Sequence, residues 1–230
     1  SFLPRALTSV DLSPDGKRIV YTEPSAGGSR VAISDTGGHN VKTLLTDKLP
    51  EWRALWVNND AILLTTPPSW SVLNISLLLP VGKQPTEFFS RRGLSLLPSP
   101  PGKRAVYALG SVDTAGALLP LRMADSKSSA TTTSVATLAE KCVWNKVGTT
   151  LYCAVPQNVL NGALLPDDWY KGTAQFFDGF FKIDPMSGNT EKVMDISPID
   201  ATNLFLDSDE QFLYFVNQRD STLWRLQLKL

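Results

Sequence analysis

Histidine is almost missing from this 230-residue chain, its one copy, His39, standing behind Gly37-Gly38 in a turn. A hydrolase of the Ser-His-Asp or Cys-His kind needs an imidazole at its centre, and a glycine-rich turn is a poor place to hold one. Only two cysteines are present, which excludes a four-cysteine zinc site. No Gly-x-Ser-x-Gly elbow, phosphate loop or dinucleotide fingerprint occurs, so no cofactor is expected. Basic and acidic residues balance at 22 each without a run of five like charges, which removes the usual driving force for binding nucleic acid or anionic lipid. No apolar stretch reaches the roughly 18 residues of a membrane span. The start, Ser1-Phe2-Leu3-Pro4-Arg5, has no signal-peptide core. Contact with a membrane is therefore expected only through an anchor absent from this chain.

What the sequence does contain is a repeated phrase. Its best copy is Ser13-Pro14-Asp15-Gly16-Lys17-Arg18-Ile19-Val20-Tyr21, a turn of Pro-Asp-Gly type leading into an apolar run. Such a turn predicts a hairpin, because Pro presets one turn dihedral and Gly tolerates the left-handed one. Weaker copies begin near Asn58, Ser99, Asn145 and Asp207, at spacings of 45, 41, 46 and 62 residues. Steps in the low forties are those of four-stranded propeller blades, and the long step marks an insertion.

The expected fold is thus all-β: a single five-bladed β-propeller of four-stranded antiparallel blades. The blades fall at about 8–47, 52–92, 93–139, 140–197 and 200–230, with an insertion at 156–176. Third and fourth strands are expected at Arg30–Ser34 with Val41–Thr46, Val72–Leu77 with Glu87–Ser90, Leu118–Met123 with Thr133–Leu138, and Phe180–Ile183 with Glu191–Ile196. Ser126–Thr133 reads as a polar turn. The last blade ends one strand short, and Phe2–Leu7 is the segment expected to pair with Thr222–Leu228 and close the ring.

Laying the Asn145–Gly148 turn on the Pro14–Lys17 template sets Trp144 opposite Leu151 and Cys142 opposite Cys153, as Leu12 faces Ile19 and Val10 faces Tyr21. Directly opposed residues of an antiparallel pair lie within disulfide reach, and a bridge would point to an oxidising compartment outside the cytoplasm. Two reduced core cysteines would satisfy the same register.

In a propeller the loops between second and third strands, and those leading to the next blade, share one face, where ligands usually bind. The insertion belongs there and carries Pro166-Asp167-Asp168-Trp169-Tyr170-Lys171-Gly172. Trp169 is the expected anchor for a protein or glycan, with Tyr170, Trp52 and Trp70 extending the aromatic surface and Asp167 and Asp168 orienting a donor or a cation. Trp169 and Tyr170 would equally pin the long loop onto the blades, with the two aspartates capping a turn or a short helix, and Trp52 would equally plug the top of the core. Trp56, Trp144 and Trp224 fall inside strands and are expected to be packing. Glu51, Glu140 and Asp200 stand just before inner strands; a pair roughly 5 to 10 Å apart would suit glycoside hydrolysis.

The string Leu12-Ser13-Pro14-Asp15-Gly16-Lys17-Arg18-Ile19-Val20-Tyr21 resembles the repeat of TolB-type bacterial propellers. With Glu140–Trp144, Leu151–Pro156, Pro166–Gly172 and Leu223-Trp224, the chain is also similar to uncharacterised propeller proteins of candidate-phylum bacteria, which typically carry an N-terminal membrane anchor. Val147 and Pro101 depart from the repeat, each standing where an acidic residue is usual. The resemblance implies an extracytoplasmic propeller and supplies no catalytic residues. The leading expectation is a non-enzymatic binding or scaffold module of the cell envelope engaging a protein or glycan through the loop face. The alternative is a carbohydrate-active enzyme using Glu51, Glu140 or Asp200.

Overall fold

A computed structural model of the protein describes residues 6–102, 104–125, 131–158, 162–196 and 198–228, except for the side chain of Asp125. The chain is a five-bladed β-propeller of antiparallel blades. Blade one is β1 (Ser9–Leu12), β2 (Arg18–Ser25), β3 (Gly28–Asp35) and β4 (Lys42–Asp47); blade two is β5 (Arg53–Asn58), β6 (Ala61–Thr65), β8 (Ser76–Pro80) and β9 (Thr86–Glu87). Two-residue strands β7 (Leu73–Asn74) and β10 (Arg91–Arg92) flank β8 and β9 in sequence. Blade three is β11 (Leu94–Pro98), β12 (Arg104–Leu109), β13 (Pro120–Asp125) and β14 (Thr131–Ala136); blade four is β15 (Cys142–Trp144), β16 (Leu151–Pro156), β17 (Asp178–Ile183) and β18 (Thr190–Asp195). Blade five shows three strands among the described residues, β19 (Ala201–Leu206), β20 (Phe212–Asn217) and β21 (Thr222–Gln227). The chain divides into two compact units, one of Ser1–Pro67 with Asn74–Arg91, the other of Pro68–Leu73 with Arg92–Leu230.

In the first unit the repeat phrase builds its hairpin as its chemistry requires. Gly16 takes φ +68°, the Ser13 hydroxyl donates to Asp15 Oδ1 at 2.7 Å, and the backbone N–H of Arg18 donates to Ser13 Oγ at 2.9 Å. Leu12 then faces Ile19 and Val10 faces Tyr21. Blades one and two share an apolar layer of Val20, Val31, Trp52, Trp56, Ile62, Leu64 and Leu79. The two blades are also stitched by polar side chains. Ala54 N–H donates to Ser9 Oγ at 3.1 Å, Trp56 N–H to Asp11 Oδ2 at 2.7 Å, and the Thr22 hydroxyl to Trp52 O at 2.8 Å. Burial pushes the Asp11 carboxyl above its ordinary range, against the pull of the backbone bonds from Trp56 and Leu12.

Blade two corrects the expected strand positions: its third strand is β8, not Val72–Leu77, and its fourth is β9, not Glu87–Ser90. Pro67 and Pro68 have no N–H to donate. The Asn74 side chain donates to Pro67 O at 2.6 Å and Thr66 N–H to Ile75 O at 3.0 Å, so the ladder starts only at the Thr65–Ser76 pair.

In the second unit Cys142 faces Cys153 and Trp144 faces Leu151, and the two cysteines form a disulfide across Cα atoms 4.1 Å apart. Blades three and four are stitched like the first pair, by Ala139 N–H to Ser95 Oγ at 2.9 Å and the Thr137 hydroxyl to Ala154 O at 2.8 Å. Val106, Leu121, Trp144, Leu151 and Ile183 share one core, and Phe180, Ile199, Leu213, Phe215 and Leu226 another. Trp56 and Trp144 are buried as expected, whereas Trp224 is exposed on β21, its ring 6.4 Å from Phe215. The proposed pairing of Phe2–Leu7 with the last blade rests on residues 1–5, and the Ser126–Thr133 turn on 126–130, both outside the described residues.

Candidate functional site

Between β16 and β17 the chain leaves the ladder and forms a strap that carries a one-turn helix, α1 (Asp167–Tyr170). So short a helix does not hold itself, since nucleation is unfavourable, and side chains on both flanks supply the missing bonds. Asp168 Oδ2 accepts from Leu164 N–H at 2.8 Å, while the Asp168 carbonyl accepts from Thr173 and Ala174, both at 2.9 Å. Asp167 binds outward to the Pro68–Leu73 segment: the Ser69 hydroxyl and Trp70 N–H each donate to it at 2.8 Å. The strap passes over Gly110, where an added Cβ would stand 1.9 Å from the Leu165 carbonyl oxygen. Glycine is obligatory there because two backbones meet.

Trp169, the expected exposed anchor, is 3% exposed and lies in a core with Ala108, Leu119, Leu138, Leu165, Ala174 and Phe176. The finding corrects that reading: its indole is a staple. Burying a ring of that size is worth about 4–6 kcal/mol before entropy is counted. The indole packs with Leu165 and Phe176, the Phe176 ring 6.0 Å away, because burial there takes its apolar surface out of water.

Beneath the strap lies a buried ionic cluster that sequence reading missed. Lys141, in a 3-10 turn at Ala139–Lys141, is 0% exposed. Its ammonium donates to Asp200 Oδ1 at 2.7 Å, Asp178 Oδ2 at 2.8 Å and Ala201 O at 2.7 Å, and stands 4.9 Å from the ring centroids of both Trp169 and Phe176. Asp200 further accepts from Trp169 Nε1 at 3.0 Å and Phe176 N–H at 2.9 Å. Asp178 Oδ2 accepts from Ala201 N–H at 2.7 Å, while its Oδ1, although buried, finds no protein partner. Burial pushes the Asp178 carboxyl up; Lys141 and the bond from Ala201 pull it down, and the charge of Asp200 adds a little to the rise. Only the strand-preceding position of Asp200 was visible in sequence, because its partners lie 24 to 59 residues away.

Asp200 is therefore committed to Lys141, Trp169 and Phe176, which is not the position of a carboxylate that must exchange protons with substrate. Glu140 is half-buried and its Oε2 accepts from the Tyr170 hydroxyl. Trp70 is half-buried beside Asp167. Glu51 is exposed and Trp52 buried, both within the first unit. No group of three or more His, Cys, Asp or Glu side chains among the described residues could hold a metal ion. No helix among them is long and apolar enough to cross a membrane.

The strap instead displays Phe177, 42% exposed and also missed in sequence. Its N–H donates to Asn158 Oδ1 at 2.7 Å and its carbonyl accepts from Gln157 at 2.7 Å. The Arg219 guanidinium lies 4.5 Å from its ring while donating through Nη2 to Phe176 O at 3.0 Å. The side-chain amide of Gln218 donates to Trp169 O at 3.1 Å. The Phe-Phe pair at 176–177 was the available signal: in an extended segment successive side chains point to opposite sides, so one ring enters the core as the other leaves it.

No protein-family model matches the chain, and no curated protein matches it. Solved structures do. TolB from Acinetobacter baumannii is similar at 14% identity and a TM-score of 0.60, over 93% of this chain and 53% of that one. A putative TolB from Agrobacterium tumefaciens is similar at 14% identity and a TM-score of 0.57, over 98% and 83%. The β-propeller domain of the Trilobed protease from Pyrococcus furiosus, described as having an open velcro topology, is similar at 11% identity and a TM-score of 0.62, over 95% and 65%. The chain thus spans about half the length of the first of these structures. At such identities the likeness concerns the fold, which is TolB-like.

Proposed function

We propose that this chain is a non-enzymatic binding or scaffold module of the cell envelope that engages a protein or glycan through the loop face of its second unit. The observation that carries this reading is the strap: held from below by Trp169 and the Lys141 cluster, it presents Phe177 backed by Arg219 in a fixed pose. A pre-ordered aromatic surface binds at small entropic cost. The TolB-like fold is compatible with such a role, and the Cys142–Cys153 disulfide supports an oxidising, extracytoplasmic setting. Commitment of Asp200 to the buried cluster weighs against the glycosidase alternative.

The test is capture from an envelope extract together with a glycan array, using the wild-type chain and Phe177→Ala. Because Phe177 is an exposed side chain, its truncation should leave the melting temperature nearly unchanged. Loss of an interface anchor costs about 2 kcal/mol, so affinity should drop roughly thirtyfold. Unchanged capture by both Phe177→Ala and Arg219→Ala would reject the loop face.

A further inference from the structure

We infer that Trp169, Phe176, Asp178 and Asp200 form a receptor for a primary alkylammonium ion, which the chain fills with its own Lys141. The three N–H groups of the ammonium meet three separate acceptors, Asp200 Oδ1, Asp178 Oδ2 and Ala201 O, at 2.7, 2.8 and 2.7 Å. Two aromatic rings stand 4.9 Å from the same nitrogen, the arrangement by which aromatic cages hold cations. Two carboxylates surround one ammonium, and Asp178 Oδ1 keeps an unmatched lone-pair site, so the receptor selects positive charge.

Walls and occupant are separable. Lys141 arrives from the turn before β15, whereas Trp169 and Phe176 belong to the strap, Asp178 to β17 and Asp200 to the connection before β19. The walls are joined without the lysine: Asp200 accepts from Trp169 Nε1 and Phe176 N–H, Ala201 N–H donates to Asp178, and Asp200 N–H donates to Asn217 Oδ1 at 3.1 Å. Removing the lysine beyond Cβ therefore leaves a lined cage with two carboxylates facing it. The atoms lost in Lys141→Ala are three carbons and a nitrogen, the skeleton of n-propylammonium. Three directed N–H bonds further require a primary ammonium; a quaternary one carries the charge and has no proton to donate.

The experiment is thermal unfolding of Lys141→Ala in the whole 230-residue chain, and calorimetric titration of it, with n-propylammonium, tetramethylammonium and 1-propanol. The variant should melt about 10 °C below wild type, as expected for breaking a buried ion pair. n-Propylammonium should raise that melting temperature by about 4 °C at a tenfold excess over its dissociation constant, with little effect on wild type. Tetramethylammonium and 1-propanol should do much less. No rise with n-propylammonium, an equal rise with tetramethylammonium, or an equal rise in wild type overturns the proposal. Should Lys141→Ala fail to fold alone, refolding from urea decides the matter instead: recovery of native near-ultraviolet dichroism with n-propylammonium only supports the receptor, and no recovery overturns it.

Discussion

At the scale of single residues, the buried cluster makes stability depend on pH in a direction opposite to that of a carboxylate held below its ordinary range, such as Asp15. Asp178 holds a proton more tightly in the folded chain than in the unfolded one, where its value is near 3.8. The stabilisation from that proton is full below this value and is lost as pH rises through the raised folded one. Melting temperature should accordingly fall with rising pH above the ordinary carboxylate range, with Asp11 acting in the same direction, and Asp178→Asn should flatten the part of the decline that Asp178 carries; melts between about pH 4 and 9 check it. Trp169→Ala has a different signature. It empties the core under the strap and should cost about 3–5 kcal/mol, lowering the melting temperature by roughly 10 °C where Phe177→Ala lowers it hardly at all. A Trp169→Ala protein with wild-type stability would show that the staple is not one.

At the scale of elements, Gly110 and the disulfide are the sensitive points. Gly110→Ala places a methyl group 1.9 Å from the Leu165 carbonyl oxygen, so the strap must shift. Faster amide exchange at Asp168–Ala174 than in wild type is the expected result, and unchanged exchange would remove the contact from consideration. Reduction of Cys142–Cys153, which closes a separation of 11 residues, should cost about 3 kcal/mol at most, read as a lower midpoint in urea with reductant present. Both cysteines were legible in advance because a hairpin turn fixes register and period-two alternation carries it along the strand. The same logic placed Val10 opposite Tyr21. It failed in blade two, where Pro67 and Pro68 delay the ladder and lengthen the loop, a displacement that the apolar run Leu73-Asn74-Ile75-Ser76-Leu77-Leu78-Leu79 does not reveal. It was silent on Lys141, because a charged residue before a strand looks the same whether it meets water or two aspartates 37 and 59 residues further on.

At the scale of the whole molecule, five recurrences of one phrase were enough to state the architecture, while the loop face had to be read from contacts. The expected pairing of Phe2–Leu7 with Thr222–Leu228 remains a proposal about the last blade, whose described sheet has three strands. Deleting residues 1–7 should lower the melting temperature markedly and promote aggregation, since an open ladder edge is left; a deletion without effect on either rejects closure by that segment. The polar stitches between neighbouring blades also say where the fold admits change. Ser9 to Ala54 and Ser95 to Ala139 join places 45 and 44 residues apart on first strands or the turn leading into them, and Thr22 and Ala154 add stitches from within the second strands. Length added between a blade's second and third strands leaves those joints untouched, and blade four has grown its strap at that position. The connection between Leu109 and Pro120 in blade three occupies the corresponding position; its exposed Val112-Asp113 turn, clear of the Gly110 contact with the strap, is where a grafted foreign loop should leave the stitches intact.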